Sequence, residues 1–302
     1  MKIVVNMQVG NEVELIEQHI AYHLALGVDG FVIADMDSVD GTSDRLDRYR
    51  NNPQFVIRKF DLGDLIDATG PRTDEVGHWM LQATRDHFAP DWVIRLDADE
   101  FVYSEQDLAS TIAAQSSQPW FRIERRNVVF GQGQPIPPIP VTKDALAELR
   151  IVARPIKTTP ASYRANDSLP LILTEVGPKV MVRPDKVMSY TTGGHGAVDL
   201  QGNTLVAPLA EGILLVHFWF TTAQRFVRKA RFTAFVEDML RAHPQAVKGW
   251  QWTRWAEIAG PGDAASAAAI LAEYSRQFPG ADTVDHLRHL GHVCRVSEYW
   301  SM

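Results

Sequence analysis

Two acidic runs, Asp35 to Asp40 and Asp97 to Glu100, each follow directly on a short apolar stretch. Those stretches, Phe31 to Ala34 and Trp92 to Leu96, are too short for helices and read as buried strands. Lys2 to Met7 is a similar run ahead of the polar turn Gly10-Asn11-Glu12, and Phe55 to Phe60 is another. Helical spacing fills the intervals. Leu15, Ile16, His19, Ile20, His23 and Leu24 recur on one face of Val13 to Leu26, with Gly27 placed to close that helix. Arg45 to Asn51 and the amphipathic Asp74 to Phe88 predict two more helices. Strands alternating with helices require crossover connections, so the fold class is α/β, a doubly wound and mostly parallel sheet flanked by helices. Ligands of such sheets sit beyond the carboxyl ends of the strands, so both acidic runs are expected to face one crevice.

The second half is less regular. Gln132 to Pro140 is rich in proline, which suits neither helix nor central strand, and is expected to form an extended loop. The segment from Phe130 to Pro140 is a candidate lid over the crevice. Arg150 to Val152, Lys179 to Val182 and Ile213 to Phe218 read as strands, Thr221 to Leu240 as a helix. The remaining residues carry further helix, including the Ala-rich stretch after Asp263. Trp250, Trp252 and Trp255 have helical aromatic spacing and are expected to pack rather than bind a sugar.

Composition narrows the function classes. A formal net charge of −7 gives no global attraction to nucleic acid or anionic lipid. The longest apolar run, Ile213 to Phe220, is interrupted by His217 and falls short of the ~20 residues a membrane helix needs. Met1 to Gln8 is ended too early by Asn11 and Glu12 to be a signal peptide. The single cysteine, Cys294, cannot form an internal bridge. These readings predict a cytoplasmic enzyme without a transmembrane segment.

The acid pair carries the chemistry. Asp97 and Asp99 are expected at the end of an extended segment, with both carboxylates on one side and Ala98 on the other. Two carboxylates so placed suit a hard divalent cation, Mg²⁺ or Mn²⁺, which keeps room for substrate phosphates. Such a cation neutralises a leaving diphosphate as a Lewis acid. The basic residues Lys179, Arg183, Arg225, Arg228 and Lys229 are candidates to offset diphosphate charge, or solvated surface.

The stretch Asn11-Glu12, Glu17, Tyr22-His23, Gly27-Val28-Asp29 and Asp35 to Thr42 resembles the opening of family-2-like glycosyltransferases of the GT-A fold. Trp92 to Phe101, with its Asp-x-Asp-Glu-Phe pattern, is similar to their metal-binding strand. Phe130-Gly131, Lys179 to Pro184, Gly193 to Gly196, Val216-His217-Phe218 and Phe226 to Lys229 follow in the same order. The resemblance covers roughly the first 230 residues. It implies a GT-A fold with a nucleotide-sugar-binding half at 1–103, an acceptor-binding half at 104–240 and a helical extension at 241–302. It implies a metal-dependent transferase moving a sugar from a UDP- or GDP-type donor to a glycan or small-molecule hydroxyl, in bacterial-type polysaccharide or glycoconjugate synthesis. Donor-binding residues would be Asn11, Glu12, Asp35, Asp37, Asp97, Lys179 and Lys229. Metal ligands would be Asp97, Asp99 and His217, with His195 as the alternative to His217. Gly10 and Met36 stand where the family often has Arg and Asn, which leaves the nucleotide base open. For the catalytic base, Glu175, Asp199 and Glu100 are candidates, and the sequence does not choose among them.

Two other readings stand beside this one. Phe31 to Val39 satisfies the strand-Asp-x-Asp-x-Val pattern of haloacid dehalogenase-type phosphatases, with Asp35 as nucleophile and Asp37 as acid/base. That motif normally ends the first strand of its domain, and here a strand and a helix precede it. The third reading is a non-catalytic sugar-nucleotide-binding relative.

Overall fold

The computed structural model describes residues 1–67, 70–71, 73–115, 118–159, 161–162, 168–204, 206–242, 250–260 and 264–302. The chain begins with β1 (Ile3–Val9), α1 (Ile16–Ala25), β2 (Gly30–Met36), α2 (Thr42–Asp47) and β3 (Phe55–Phe60). It continues through α3 (Thr73–Phe88), β4 (Trp92–Leu96), β5 (Glu100–Ser104), α4 (Leu108–Ala114), β6 (Trp120–Asn127) and α5 (Lys143–Ala147). Then come β7 (Lys179–Val182), β8 (Leu209–His217), α6 (Ala223–Met239), α7 (Trp250–Ala259), α8 (Ala264–Arg276) and α9 (Ala281–His289).

The eight labelled strands form one sheet in the order β3-β2-β1-β4-β7-β6-β8-β5. β3, β2, β1 and β4 are parallel neighbours; β7 lies antiparallel between β4 and β6; β8 runs parallel to β6, and β5 closes the edge antiparallel to β8. Six strands therefore run one way and two the other. This is the doubly wound, mostly parallel α/β arrangement that the sequence predicts. β5 and β6 are additions to that expectation.

Alternation along β1 explains the two covered faces. Ile3, Val5, Met7 and Val9 pack with Ile16 and Ile20 of α1 and Leu108 and Ile112 of α4. Val4 points the other way, into a cluster with Val32, Val76, Met80 and Leu81, the last three from α3. A strand buried on both faces is apolar throughout, as Ile3–Val9 nearly is. A third cluster joins Phe101, Leu214, Val216 and Phe218 to Phe226 of α6, Trp255 of α7, Ile270 of α8 and Val284 of α9. The helical C-terminal part thus shares a core with the late strands. Trp255, 1% exposed, is packing, and truncating a side chain of that size costs about 3–5 kcal/mol. Trp252 is 39% exposed, and the side chain of Trp250 lies outside the described residues. Asp263 also lies outside them, but the Ala-rich stretch that follows it forms α8.

Two local expectations are corrected. The helix expected at Arg45 to Asn51 begins instead at Thr42 and ends at Asp47, because Asp40 Oδ1 accepts hydrogen bonds from Thr42 N (3.0 Å) and Thr42 Oγ1 (2.6 Å). The segment from Asp97 to Glu100 is a closed turn, not an extended end. Glu100 N donates to Asp97 O at 3.1 Å, and Glu100 Oε2 accepts from Asp97 N at 2.8 Å. That reciprocal pair bends the chain, so Asp97 and Asp99 do not share one side by strand alternation. Gln132 to Pro140 has no regular structure, as expected. Its entry is held down: Gln132 N donates to Pro279 O at 2.8 Å, and Phe130 packs on Phe278.

Among the described residues, no helix is long and apolar enough to cross a membrane.

Candidate functional site

The sheet gathers the site at one edge. The loops after β1, β2 and β4, and the ends of β6 and β8, are the carboxyl ends of parallel strands. β5 and β7 run the opposite way, so their first residues, Glu100 and Lys179, sit at the same edge. His217 ends β8 paired with Glu100 on one side and Asn127 on the other. Phe218 N donates to Asp99 O at 2.8 Å, which locks the acidic turn against the end of β8.

Asp97 keeps 41% of its side chain exposed, yet it is paired from below. Lys179, 1% exposed, donates through Nζ to Asp97 Oδ2 (2.6 Å) and to Gly193 O (2.6 Å). Arg95 Nη1 lies 3.4 Å from Asp97 Oδ1. Against the desolvation of the cleft, Lys179 and Arg95 hold the Asp97 carboxyl below the usual carboxylate range. The turn at Gly193-Gly194 is shaped to fit here. Both glycines have positive φ, and a Cβ on Gly194 would sit 2.5 Å from Arg95 Cγ.

Asp99 is 4% exposed and divides its two oxygens. Oδ2 accepts from Arg225 Nη2 (2.8 Å) and Lys229 Nζ (3.2 Å). Oδ1 faces His217 Nε2 at 3.6 Å. Burial works to raise the Asp99 pKa, but Lys229 and Arg225 hold it well below the carboxylate range. The state of His217 follows from Asn127. Asn127 Nδ2 donates to Ile172 O (3.0 Å) and Thr174 O (3.1 Å), so its Oδ1 must be the atom 2.8 Å from His217 Nδ1. His217 therefore donates from Nδ1. Burial pushes its pKa down to about 3, against the pull of Asp99, so the ring is neutral and Nε2 carries a lone pair.

His217 Nε2 and Asp99 Oδ1 thus face each other at 3.6 Å, two acceptors when the ring is neutral. That is the arrangement a cation satisfies. Asp99, Glu100 and His217 each offer a ligand atom within 4.8 Å of the others, the one such group found among the described residues. Glu100 is already committed: it pairs with Arg125, accepts from Asp97 N, and is fully buried. A mixed N/O pair can hold a divalent cation, and its imidazole suits a transition ion better than Mg²⁺, which takes oxygen ligands.

The other expected site residues divide. Glu12 forks Arg225, with Oε2 to Nε at 2.7 Å and Oε1 to Nη2 at 2.9 Å, and so joins Asp99 through that guanidinium. Asn11, at φ 60°, accepts from Val39 N through Oδ1 (2.9 Å), and its own N donates to Ser38 Oγ (3.0 Å), lacing together the loops after β1 and β2. Asp35 is 2% exposed, its oxygens taken by Ser38 N (3.1 Å) and Ser43 Oγ. Asp37 lies on the rim, 3.2 Å from Lys59. His195 is exposed at the surface, with one side of its ring set against Gly177 and Gly193. Its Nδ1 bonds Pro178 O (2.8 Å), and partial desolvation of the ring, with Lys179 and Arg125 nearby, lowers its pKa to about 4. Of the base candidates, Asp199 caps its own hairpin turn, accepting from Gln201 N and Asn203 N. Glu175 is exposed on the segment that runs past Gly177 to Lys179. Among the basic residues, Arg228 pairs with Glu14 (2.5 Å) and Arg183 lies over the Trp92 ring.

Sequence reasoning missed Arg95, Arg125 and Asn127. The last two sit on β6, whose polar run Arg122-Ile123-Glu124-Arg125-Arg126-Asn127 hides a buried alternation of Phe121, Ile123 and Arg125. That period-2 pattern was the available signal.

No protein-family model and no curated protein sequence matches this chain. Among solved structures it is similar to S. aureus TarS 1-349 in complex with UDP, at TM-score 0.40 and 12% identity, covering 96% of this chain and 92% of that one. It is similar to the same TarS fragment in complex with UDP-GlcNAc, at TM-score 0.40 and 14% identity with the same coverage. A mycobacterial protein aligns with 79% of this chain and 74% of its own, at TM-score 0.37 and 15% identity. These are distant likenesses.

Proposed function

We propose that this chain is a glycosyltransferase that takes a nucleotide-diphosphate sugar as donor, with the diphosphate bound at the Asp97–Glu100 turn and a divalent cation held by Asp99 and His217. The observation that carries the reading is the facing pair Asp99 Oδ1 and His217 Nε2, 3.6 Å apart at the strand-end edge. Lys229 pairs with Asp99 beside it, and Lys179 pairs with the neighbouring Asp97. When bound, Mn²⁺ or Mg²⁺ would supply Lewis-acid stabilisation of the leaving diphosphate.

The residues of the chain do the rest. Lys229, a quarter exposed, is placed to turn from Asp99 to a phosphate oxygen. Asp97, with its Oδ2 on Lys179 and much of its side chain in the cleft, takes the donor's ribose or sugar hydroxyls. Asp35, with both carboxylate oxygens taken inside its loop, and Asn11, with Oδ1 on Val39 N, shape the nucleotide pocket by holding the loops after β1 and β2. Glu175 is the base we assign, because Glu100 and Asp199 spend their oxygens inside the protein. His195 stands at the acceptor side of Lys179. In this reading 1–103 serves the donor and 104–240 the acceptor.

The phosphatase alternative requires Asp35 as a nucleophile, and both of its oxygens already accept hydrogen bonds inside its own loop. Calorimetry of a nucleoside diphosphate with and without Mn²⁺ tests the proposal, because a ligand held by the native state is seen directly in its binding heat. Binding that needs Mn²⁺ and disappears in Asp99→Asn is the expected result. Metal-independent binding unchanged in that variant, or phosphomonoester hydrolysis abolished by Asp35→Asn, would overturn it.

A further inference from the structure

Arg225 is 2% exposed, and every N–H of its guanidinium is spoken for. Nε donates to Glu12 Oε2 (2.7 Å); Nη2 donates to Glu12 Oε1 (2.9 Å) and Asp99 Oδ2 (2.8 Å). Nη1 reaches Phe218 O and Trp219 O, both at 3.3 Å. A saturated guanidinium has no donor left for a phosphate, which sets Arg225 apart from Lys229 beside it. The acceptors are informative. One is the carboxylate of Asp99, and two are the carbonyls of the residues that directly follow His217.

We infer that Arg225 is the positioning residue of the cation site, resting on the reading of Asp99 and His217 as its ligands. One planar group grips Asp99 by its far oxygen, turning Oδ1 toward His217, and grips the backbone on which His217 is carried. The separation of the two ligands is thereby set by a rigid fork and not by two independent side chains. Glu12 is the anchor of the fork. It holds two of the guanidinium's edges from the loop after β1, so the first loop of the chain reaches the cation site through one arginine. Glu12 is then the counterion of Arg225 and not a nucleotide contact. A lysine at 225 keeps the charge but presents three donors on a flexible stem, and cannot span this set of acceptors.

The test measures Mn²⁺ uptake by electron paramagnetic resonance, with a nucleoside diphosphate present, for wild type, Arg225→Lys and Glu12→Gln, alongside thermal unfolding. Arg225→Lys is expected to weaken Mn²⁺ binding about 10- to 100-fold, the range found when a group that orients a metal ligand is lost. The spectrum of the Mn²⁺ still bound should change, a signature that lost stability alone would not produce. Glu12→Gln should shift both in the same sense by less. A folded Arg225→Lys protein with wild-type Mn²⁺ affinity and spectrum overturns the role. If Arg225→Lys does not fold, Glu12→Gln decides: wild-type Mn²⁺ affinity in that variant overturns it equally. A wild-type protein that takes up no Mn²⁺ overturns the ligand assignment of Asp99 and His217 and this role with it. Loss in the variants alone separates the two.

Discussion

Asn127 Oδ1 accepts a hydrogen bond from His217 Nδ1 at 2.8 Å, and so fixes which nitrogen of His217 faces Asp99. Asn127→Ala removes that acceptor and also leaves the carbonyls of Ile172 and Thr174 without their donor. Each buried group left unsatisfied costs about 1–3 kcal/mol. Mn²⁺ affinity should fall about 10- to 100-fold as the ring loses its orientation. Thermal unfolding and Mn²⁺ titration of the variant read the two effects separately.

Asp99 and Asp97 should differ on substitution. Asp99 is the buried counterion of Arg225 and Lys229, and removing one partner of a buried pair costs about 3–5 kcal/mol, so Asp99→Ala should lower stability as well as abolish metal-dependent binding. Asp99→Asn keeps the shape and an acceptor, and should lose binding with a smaller loss of stability. Asp97→Asn, at a half-open position, should weaken nucleotide binding and leave Mn²⁺ uptake largely intact. Calorimetry and unfolding on the three variants check the ordering.

The protein should lose stability in mild acid. His19, His23 and His217 are buried, and burial lowers each pKa: well below the ordinary value for His19, to about 4 for His23 and to about 3 for His217. In the unfolded chain each titrates near its ordinary value of 6.5. Between those values the unfolded state binds more protons, so stability is full above pH 6.5 and falls as the pH drops from there towards 4. The slope is at most about 1.4 kcal/mol per pH unit for each histidine. Asp99, with its depressed pKa, adds to the loss only below its unfolded value of 3.8. Denaturant unfolding at pH 7.5, 6 and 5 measures the slope. His23→Gln, which removes one titrating group, should flatten it, and a slope unchanged in that variant would count against the assignment.

Gly131 and Gly133 provide a matched pair in the proline-rich loop. A Cβ on Gly131 would lie 2.6 Å from the Cα of Ala281, a backbone atom that cannot step aside. Gly131→Ala should therefore cost about 1–3 kcal/mol by overpacking. Gly133 has φ +78° and open space around its missing Cβ, so Gly133→Ala carries only the left-handed strain of about 1–2 kcal/mol. In hydrogen exchange, the entry of the loop at Gln132, bonded to Pro279 O, should be protected whether or not nucleotide is bound. Gln134 is tied back to Gly131, its N donating to Gly131 O at 3.0 Å and its Oε1 accepting from Gly131 N at 2.7 Å. Ile139 packs on the core, which leaves Pro135 to Pro138 as the part that could act as the lid the sequence suggested.

Much of the architecture was legible in the chain because it is written in local patterns. β1, β2 and β4 are short apolar runs, α1 and α3 carry a 3.6-residue period, and acids directly after strands in a parallel sheet must share an edge. So the meeting of both acidic runs and the late histidine at one edge of the sheet was legible before any coordinates, but the closing of Asp97 to Glu100 into a turn was not. The sequence could not show how charges would be divided there. Lys179, 82 residues after Asp97, and Arg225, 126 after Asp99, neutralise one oxygen of each acid. Asn127, 90 residues before His217, decides its tautomer. Spacing made Asp97 and Asp99 look alike, the family resemblance implied Glu12 and Asp35 as donor contacts, and Glu100 stood as a candidate base. Pairing with residues distant in sequence is what satisfies a buried carboxylate, and such pairing leaves no periodic trace. The placing of acids at one edge is a matter of local chain direction; which of their oxygens stays open is decided only when the sheet and α6 close around them.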